Sequence, residues 1–148
     1  MPIEERLESV ADVMQWTDHI PLHYEYTAGV AGETFLRGLI EGKILAGYCP
    51  SCKKYSLPPR IYCVSCYGEI KKFSKVGPTG KVSAVTTSSR GKPDEQTYVY
   101  VTFTGVQGGI VHRLLGKARA GTAVVPRFRP KSERTGSILD IQGFESKR

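Results

Sequence analysis

The cysteines are the residues whose spacing most directly indicates chemistry. Cys49, Cys52, Cys63 and Cys66 form two Cys-x-x-Cys pairs, and the rest of the 148-residue sequence contains no cysteine. Each pair places two sulfur atoms on one tight turn, and two facing turns supply the tetrahedron of thiolates that zinc accepts, at Zn–S distances of about 2.3 Å. The sequence therefore predicts a zinc site with these four ligands. Iron is the alternative ion, because rubredoxin-type sets of four cysteines bind either metal.

Sulfur atoms would fill all four coordination positions of this metal, so none is left for water or substrate. We therefore predict a structural ion that folds a segment too short to have its own core. The residue after the second cysteine of such a turn is often glycine, because the turn favours φ > 0. Lys53 and Tyr67 occupy these two positions, which predicts some local backbone strain.

Other catalytic patterns are missing from the sequence. It contains no G-x-S-x-G, no P-loop and no G-x-G-x-x-G after a predicted strand. We interpret His19, His23 and His112 as packed or surface histidines, and Asp140 alternates with apolar residues without an evident partner. The sequence therefore predicts no catalytic residues, and a protein that is not an enzyme by itself.

The net charge of +7 is unevenly distributed along the chain. Residues 1–47 carry an excess of acidic side chains, whereas residues 48–74 and 75–148 carry an excess of basic ones. A basic C-terminal half favours an anionic partner, such as a phosphate-bearing cofactor, nucleic acid or an acidic protein surface. Solubility alone is the competing explanation for any single lysine or arginine.

The first residues, MPIEERLESVADVMQW, are acidic where a signal peptide is basic, and no apolar block follows them. No run approaches the ~18 apolar residues that cross a bilayer. The sequence thus predicts a cytoplasmic protein without a membrane partner. Thiols stay reduced in that compartment, which favours metal ligation over disulfide bonds.

Apolar periodicity predicts helices first and short strands afterwards. Residues 3–16 and about 29–41 have helical spacing, and the apolar side of the second helix includes Val30 and Leu39. A short strand, KILAGY, enters the cysteine segment. Five further strands are predicted at residues 79–90, 97–105, 109–118, 122–129 and 136–144.

Five short strands in succession predict a small closed barrel such as an OB-fold, since closure removes exposed strand edges. The predicted domains are an N-terminal helical segment (1–43), a metal-binding ribbon (44–74) and the barrel (75–148).

The sequence around the cysteines resembles a family of acyl-CoA-associated proteins that was long catalogued only as a domain of unknown function. The matching features, from Phe35 to Val85, are a helix ending in EGK, a strand into the first Cys-x-x-Cys, PPR between the cysteine pairs, and a glycine-rich entry to the barrel. The likeness extends over about residues 22–145. It implies a mainly β fold with N-terminal helices, in which a rubredoxin-like zinc ribbon is followed by a five-stranded OB-fold barrel.

The resemblance also implies a function. It indicates a non-catalytic accessory or scaffold protein that binds CoA or acyl-CoA and associates with thiolase-fold enzymes of acyl-CoA metabolism, such as those of the mevalonate pathway. The expected partner is acetyl-CoA acetyltransferase or hydroxymethylglutaryl-CoA synthase.

A CoA site needs arginine or lysine beside an aromatic ring, because CoA carries phosphates and an adenine. The ribbon offers one such setting in Arg60 and Tyr62, beside two prolines. The predicted barrel strands offer another, with Arg113, Lys117, Arg127 and Arg129. We predict these six residues as candidate CoA ligands, although a solvated basic residue is the competing interpretation for each.

The alternative function is nucleic-acid binding, which zinc ribbons and OB-folds also perform with basic surfaces. Tyr98 and Tyr100 share one face of the second predicted barrel strand, where they could stack on bases or pack against the N-terminal helices. We favour packing, because an acidic N-terminal third that covers this face would repel a phosphate backbone.

Overall fold

The computed structural model describes residues 22–88 and 96–147, which form mostly β-sheet with one α-helix, α1 (Gly29–Ile40). The strands are β1 (Leu45–Cys49), β2 (Lys54–Leu57), β3 (Lys72–Lys75), β4 (Gly80–Ser88), β5 (Gln96–Thr102), β6 (Val106–Leu115), β7 (Ala123–Phe128) and β8 (Ile141–Ser146). Two 3-10 helices, Lys131–Glu133 and Ile138–Asp140, lie between β7 and β8. The helix predicted over residues 3–16 lies outside the described residues. In the described ranges, no helix has the length and apolarity needed to cross a membrane.

The cysteine segment forms a three-stranded antiparallel ribbon in the order β3–β1–β2. Its own buried cluster is small and consists of Cys49, Cys63 and Ile70, with Phe73 and Cys52 packed beside them. So small a cluster agrees with the expectation that a metal is needed to fold this segment.

Strands β4 to β8 form the closed five-stranded barrel expected from the sequence. Neighbouring strands pair antiparallel in the order β6–β5–β4–β7–β8, and the parallel pair β6–β8 closes the circle. Val99 and Val101 of β5 are buried, while the alternating Tyr98, Tyr100 and Thr102 are partly exposed, as the two-residue period requires. The other fully buried apolar side chains of the barrel include Val82, Val124, Ile141 and Phe144.

Ribbon and barrel share one continuous sheet, because β2 pairs in parallel with β6. Gly108 lies opposite Leu57 in this pairing with φ +84°, and a Cβ atom there would collide with the Leu57 carbonyl oxygen. Glycine is therefore required at this close approach. Leu57 and Ile44 also belong to the same buried cluster as the barrel core. The domain boundaries remain a prediction, since sheet and core both run from ribbon to barrel.

Helix α1 confirms the helix predicted over residues 29–41. It ends before Gly42, whose φ of +70° is typical of glycine at a helix end. Leu39 is fully buried, but Val30 is 69% exposed, so the prediction that Val30 lies on the buried side is wrong. The buried residues of α1 are Ala31 in its first turn and Gly38 and Leu39 at its C-terminal end, where Gly38 packs on Leu45 of β1.

The segment after β7 fastens the end of α1 to the barrel. Arg134 Nη1 donates a hydrogen bond to the Ile40 carbonyl oxygen (3.1 Å), and Arg134 Nε donates to the Arg129 carbonyl oxygen (2.7 Å). The same guanidinium group lies 5.3 Å from the centroid of the Phe128 ring. A cation is favourable at this end of a helix because the last carbonyl groups have no partner within the helix.

The strand predicted over 136–144 is partly wrong, because β8 begins only at Ile141 and the 3-10 helix Ile138–Asp140 precedes it. The expectation that Asp140 has no partner is also wrong. Its buried carboxylate accepts hydrogen bonds from the backbone N–H groups of Thr135 (3.0 Å), Gly136 (2.8 Å) and Ser137 (3.1 Å). Such local side-chain bonds compete with a strand ladder, which explains the turn.

Burial and hydrogen bonding act in opposite directions on Asp140. Burial by itself raises the pKa of the carboxyl group, but the three backbone N–H donors outweigh it and lower the pKa below its ordinary value. Asp140 is therefore an ionised group that holds the 138–140 turn in place at neutral pH.

Candidate metal centre and ligand groove

The four cysteine sulfur atoms converge between the two Cys-x-x-Cys turns, which we call the first and second knuckles. All four Sγ atoms lie within 4.8 Å of one another, with Cys49 Sγ 3.5 Å from Cys66 Sγ and Cys52 Sγ 3.8 Å from Cys63 Sγ. A tetrahedron with Zn–S distances of about 2.3 Å has sulfur atoms about 3.8 Å apart. The four cysteines are therefore arranged for zinc binding in a ribbon of the rubredoxin type.

The backbone of each knuckle has the strain expected from the sequence. Lys53 has φ +53° and Tyr67 has φ +56°, and no other non-glycine residue in the described ranges has positive φ. In the first knuckle the Cys52 N–H points at Cys49 Sγ (3.4 Å). In the second, the Tyr67 N–H donates to the Cys63 carbonyl oxygen (2.9 Å). The strained Tyr67 is thus hydrogen-bonded directly into its metal-binding turn, and the strained Lys53 directly follows a metal-binding cysteine.

The thiols differ in how readily they ionise. Backbone N–H groups of Ser65 and Cys66 donate to the Cys63 sulfur and lower the pKa of Cys63 to about 6. Hydrogen bonding with Cys66, and then with Cys63, raises the pKa of Cys52 to about 12. A metal dication binds all four groups as thiolates, so metal binding to this cluster releases protons.

A groove with a basic end and an apolar wall crosses the outer face of the barrel; we call it the barrel groove. It consists of two adjoining cavities of about 320 Å³ and about 520 Å³, which share Arg113, Arg129 and Gln142. The side chains that characterise the first cavity are Tyr98, Val111, Ile138 and Leu139, and those that characterise the second are Arg127 and Glu133. Volumes of this size are typical of small-molecule sites.

Tyr98 and Arg113 lie side by side in the barrel groove, because they are register partners on β5 and β6. Tyr98 Oη donates a hydrogen bond to Gln96 Oε1 (3.1 Å), and Arg113 Nη2 donates to the same oxygen (3.2 Å). Gln96 thus holds an aromatic ring next to a guanidinium group. This pair suits an adenine ring with a neighbouring phosphate, and it lies on the second and third barrel strands, the face with which OB-folds bind ligands.

His112 connects β6 to the 138–140 turn as a neutral imidazole. Its Nδ1 accepts a hydrogen bond from the Arg113 N–H (2.9 Å), so Nε2 carries the proton and donates to the Ile138 carbonyl oxygen (3.2 Å). Burial, only partly offset by the bond to Ile138, lowers the pKa of His112 below its ordinary value. Both ring nitrogens are occupied, so the side chain positions the groove wall.

The structure brings together half of the residues predicted to bind CoA. Arg113, Arg127 and Arg129 line the barrel groove, where Arg127 Nη1 also contacts Glu145 Oε2 at 3.3 Å between exposed side chains. Lys117 follows the end of β6 and does not line either cavity.

Arg60 and Tyr62 lie apart from this groove, on the zinc ribbon. Arg60 lines a small depression of about 10 Å³ beside Cys63 and Val64, and Tyr62 is 56% exposed. The six predicted ligands therefore occupy more than one surface, and their role in CoA binding stays a prediction.

Sequence reasoning missed the groove residue Gln142 and the wall formed by Ile138 and Leu139. It also missed Gln96, which accepts the hydrogen bonds of Tyr98 and Arg113. The sequence favours packing of Tyr98 against the N-terminal helices. Tyr98 lines the barrel groove, α1 packs on β1 and the 138–140 turn, and the helix predicted over residues 3–16 lies outside the described residues. The alternation of Tyr98 with buried valines is a usable signal for the groove face. No comparable signal exists for the wall, because its sequence has the pattern of a strand.

Comparison with known proteins gives a family for the ribbon and a fold for the chain. Residues 38–71 match the family model of the ChsH2 rubredoxin-like zinc ribbon domain. No curated protein matches the sequence. A DUF35-family protein of unknown function from Sulfolobus solfataricus has a similar structure, with 27% sequence identity and a TM-score of 0.63 over 70% of this chain and 81% of that chain. An Ltp2–ChsH2(DUF35) aldolase is also similar, with 17% identity and a TM-score of 0.56 over 76% of this chain and 91% of that chain.

The second of these structures corrects one prediction. The sequence predicts a protein that is not an enzyme by itself, but a neighbour with the same fold is an aldolase made of Ltp2 and ChsH2. The expectation is wrong because it rests on the lack of a complete catalytic set in one chain, and a catalytic site can be shared between chains of a complex.

The resemblance noted in the sequence is confirmed by the ribbon and by the whole fold. Residues 38–71 form a ChsH2-type rubredoxin-like zinc ribbon, and in its ribbon and closed barrel the chain is similar to proteins of the DUF35 family.

Proposed function

We propose that the chain is the ribbon-and-barrel subunit of an acyl-CoA enzyme complex, and that its barrel groove binds the adenosine and phosphate end of CoA or acyl-CoA. The observation that carries the proposal is the meeting of Tyr98 with Arg113, Arg127 and Arg129 in one groove beside an apolar wall. The likeness to an Ltp2–ChsH2(DUF35) aldolase supports a role within a complex of two chains.

The basic end of the groove suits the CoA phosphates. Three guanidinium groups line it against one carboxylate, that of Glu133. The contact between Arg127 and Glu145 joins two exposed side chains, so it holds Arg127 only weakly and leaves it available to a phosphate. Arginine binds phosphate oxygens with two parallel hydrogen bonds, which gives direction as well as affinity.

The other end of the groove suits the adenine and the apolar part of the ligand. Tyr98 offers a ring face beside Arg113, and Gln142 supplies a polar group between the two cavities. Val111 and Leu139 are 64% and 62% exposed, which is costly in water and is relieved by an apolar ligand. An adenine stacked on Tyr98 would place its phosphates toward the three arginines.

The partner in this complex is a thiolase-fold enzyme, in line with the family resemblance. The zinc ribbon acts as a structural element in the proposal, since its four sulfur atoms leave no open metal position. The ligand groove and the metal are therefore separate parts of the subunit.

The first test is calorimetric titration of the isolated chain with CoA. Replacement of Arg113 and Arg129 by Gln should weaken binding by about 10-fold or more, because each lost charge-assisted hydrogen bond to phosphate costs more than 1 kcal/mol. Lys117→Gln is the matched control, since it removes one positive charge from the barrel outside the groove, and its affinity should stay near that of the parent. Equal losses in both variants, or no CoA binding by the parent, would refute the groove assignment.

Two further measurements distinguish this function from the alternatives. Pantetheine, which lacks the nucleotide, should bind far more weakly than CoA if the arginines bind phosphate. A single-stranded oligonucleotide that binds more tightly than CoA, with a steep salt dependence, would favour the nucleic-acid function instead. Co-expression with the thiolase-fold enzyme of the same organism, followed by affinity purification, tests the complex itself.

A further inference from the structure

Four exposed apolar side chains lie on and beside the second knuckle of the zinc ribbon. Ile61, Tyr62, Val64 and Tyr67 have exposed fractions of 45%, 56%, 56% and 81%, and we call them the knuckle patch. The backbone that carries them is rigid, because the Cys63 N–H donates to the Gly68 carbonyl oxygen (2.9 Å) and the Ile70 N–H to the Ile61 carbonyl oxygen (2.8 Å). So many exposed apolar side chains within seven positions mark an interaction surface.

Tyr67 is the most informative member of the knuckle patch. Its φ of +56° is a left-handed conformation that glycine adopts at no cost and an aromatic residue adopts only under strain. Its N–H is bonded to the carbonyl group of the metal ligand Cys63, so the ring stands on a fixed base. The metal-binding turn itself sets this φ and glycine would meet it without strain, so the ring is what the tyrosine adds. A rigid, exposed tyrosine is typical of an interface anchor.

The charges around the knuckle patch indicate which kind of partner is complementary to it. Lys54 and Arg60 line the same depression as Val64, and Lys53 occupies the strained position of the other knuckle. The acidic neighbour Glu69 pairs with Lys71 at 3.0 Å. A second copy of the chain would bring like charges together, and the aliphatic Ile61 and Val64 offer nothing to a nucleic acid. An acidic protein surface with an apolar centre is the complementary partner.

We infer that the knuckle patch is the docking surface for the partner enzyme of the complex, with Tyr67 inserted into an apolar pocket that carboxylates surround. The identity of this partner rests on the proposed function, but the patch is independent of the barrel groove. Substitutions in the knuckle patch should therefore leave the CoA affinity of the isolated chain unchanged.

The test uses opposite effects of one substitution on stability and on binding. In Tyr67→Gly the backbone strain is relieved, so the Tm of the zinc-loaded chain should stay level or rise by up to about 4 °C. The affinity for the co-expressed thiolase-fold enzyme should fall at least about 10-fold, because the anchor ring is lost. Tyr67→Phe should retain binding.

Lys53→Gly is the matched control, since it relieves the same strain in the first knuckle without removing an aromatic ring. Its Tm should shift in the same direction as that of Tyr67→Gly, while its affinity for the enzyme changes by less than about 3-fold, as expected for a charge at the rim. Zinc content measured on all three variants shows whether the ribbon remains intact.

Each contrary result overturns the inference. A complex that forms equally well with Tyr67→Gly leaves the proposed function in place but removes the docking role of the patch. A drop in Tm together with lost zinc would show that Tyr67 is a structural residue. Self-association or oligonucleotide binding that depends on Tyr67 would show that the partner of the patch is a second copy of the chain or a nucleic acid, and not the enzyme. Absence of any complex with the enzyme overturns both proposals for the partner, whereas the CoA titration reports separately on the groove.

Discussion

The zinc ribbon buries two cysteines, Ile70 and few other side chains, whereas the barrel encloses a cluster of fully buried residues that includes Val82, Val99 and Phe144. Metal ligation therefore has to stabilise the first region, and burial of apolar surface stabilises the second. The two regions also display their surfaces differently, because the ribbon exposes a strained tyrosine on a rigid turn and the barrel exposes a groove. A small metal-binding module and an apolar barrel thus present two separate surfaces in one short chain, and we propose a different binding role for each.

Removal of the metal should have the largest effect and should act mainly on the ribbon. Cys63→Ser, or chelation of zinc, is expected to unfold the ribbon strands, because zinc contributes roughly 10–16 kcal/mol to comparable peptides. Strands β4 and β5 should keep their protection in a hydrogen-exchange experiment. Ser65→Ala, in the same knuckle but not a ligand, should leave the exchange pattern unchanged. Simultaneous loss of protection in ribbon and barrel would show that the two regions do not differ in the way described.

Gly108→Ala tests the seam between the two regions. The new Cβ atom would collide with the Leu57 carbonyl oxygen at a residue with φ +84°, so the protein should lose roughly 2–4 kcal/mol of stability in urea unfolding. Gly105→Ala is the matched control, since Gly105 has φ +75° and a Cβ atom there would meet no atom of the described residues within 4 Å. Strain alone should cost this control about 1–2 kcal/mol. Equal losses of stability in the two variants would mean that β2 and β6 can move apart to accommodate the new Cβ atom at little cost.

Asp140→Asn should lower the stability less than Gly108→Ala. The substitution lies in the barrel, away from the zinc ribbon. One carboxylate oxygen is lost as an acceptor for the backbone N–H groups around the 138–140 turn, so stability should fall by roughly 1–3 kcal/mol at pH 7. The pKa of Asp140 is lowered in the folded state, so its contribution is present above the ordinary aspartate pKa of about 4 and is lost as pH falls through the lowered value.

Urea midpoints between pH 2 and 7 measure this linkage directly. The difference between parent and Asp140→Asn should be largest near neutral pH and should shrink below about pH 4. A difference that persists unchanged to pH 2 would exclude the ionised carboxylate as its source.

The ribbon was largely predictable from sequence because its structure depends on a few residues at fixed spacing. The four cysteines define the metal geometry, and Lys53 and Tyr67 occupy turn positions whose positive φ follows from the knuckle itself. The closed barrel and the end of α1 at Gly42 were also predictable, because a two-residue apolar period and a helix-ending glycine are local signals.

The barrel groove was not predictable in the same way, because it is assembled from distant parts of the chain. Its wall depends on Asp140, whose partners Thr135, Gly136 and Ser137 turn an apparent strand into a 3-10 helix. Its ligand face depends on the register that sets Tyr98 opposite Arg113, which the sequence of either strand alone does not specify. The basic residues were recognisable as candidates, but their grouping was not.

Arg134 links the helix to the groove through a single side chain. Its guanidinium group is bonded at once to the last turn of α1 and to the backbone of Arg129, a residue of the groove. The last turn of α1 and the backbone of the groove are therefore tied to one side chain, so a displacement of the helix would have to break or carry along two hydrogen bonds.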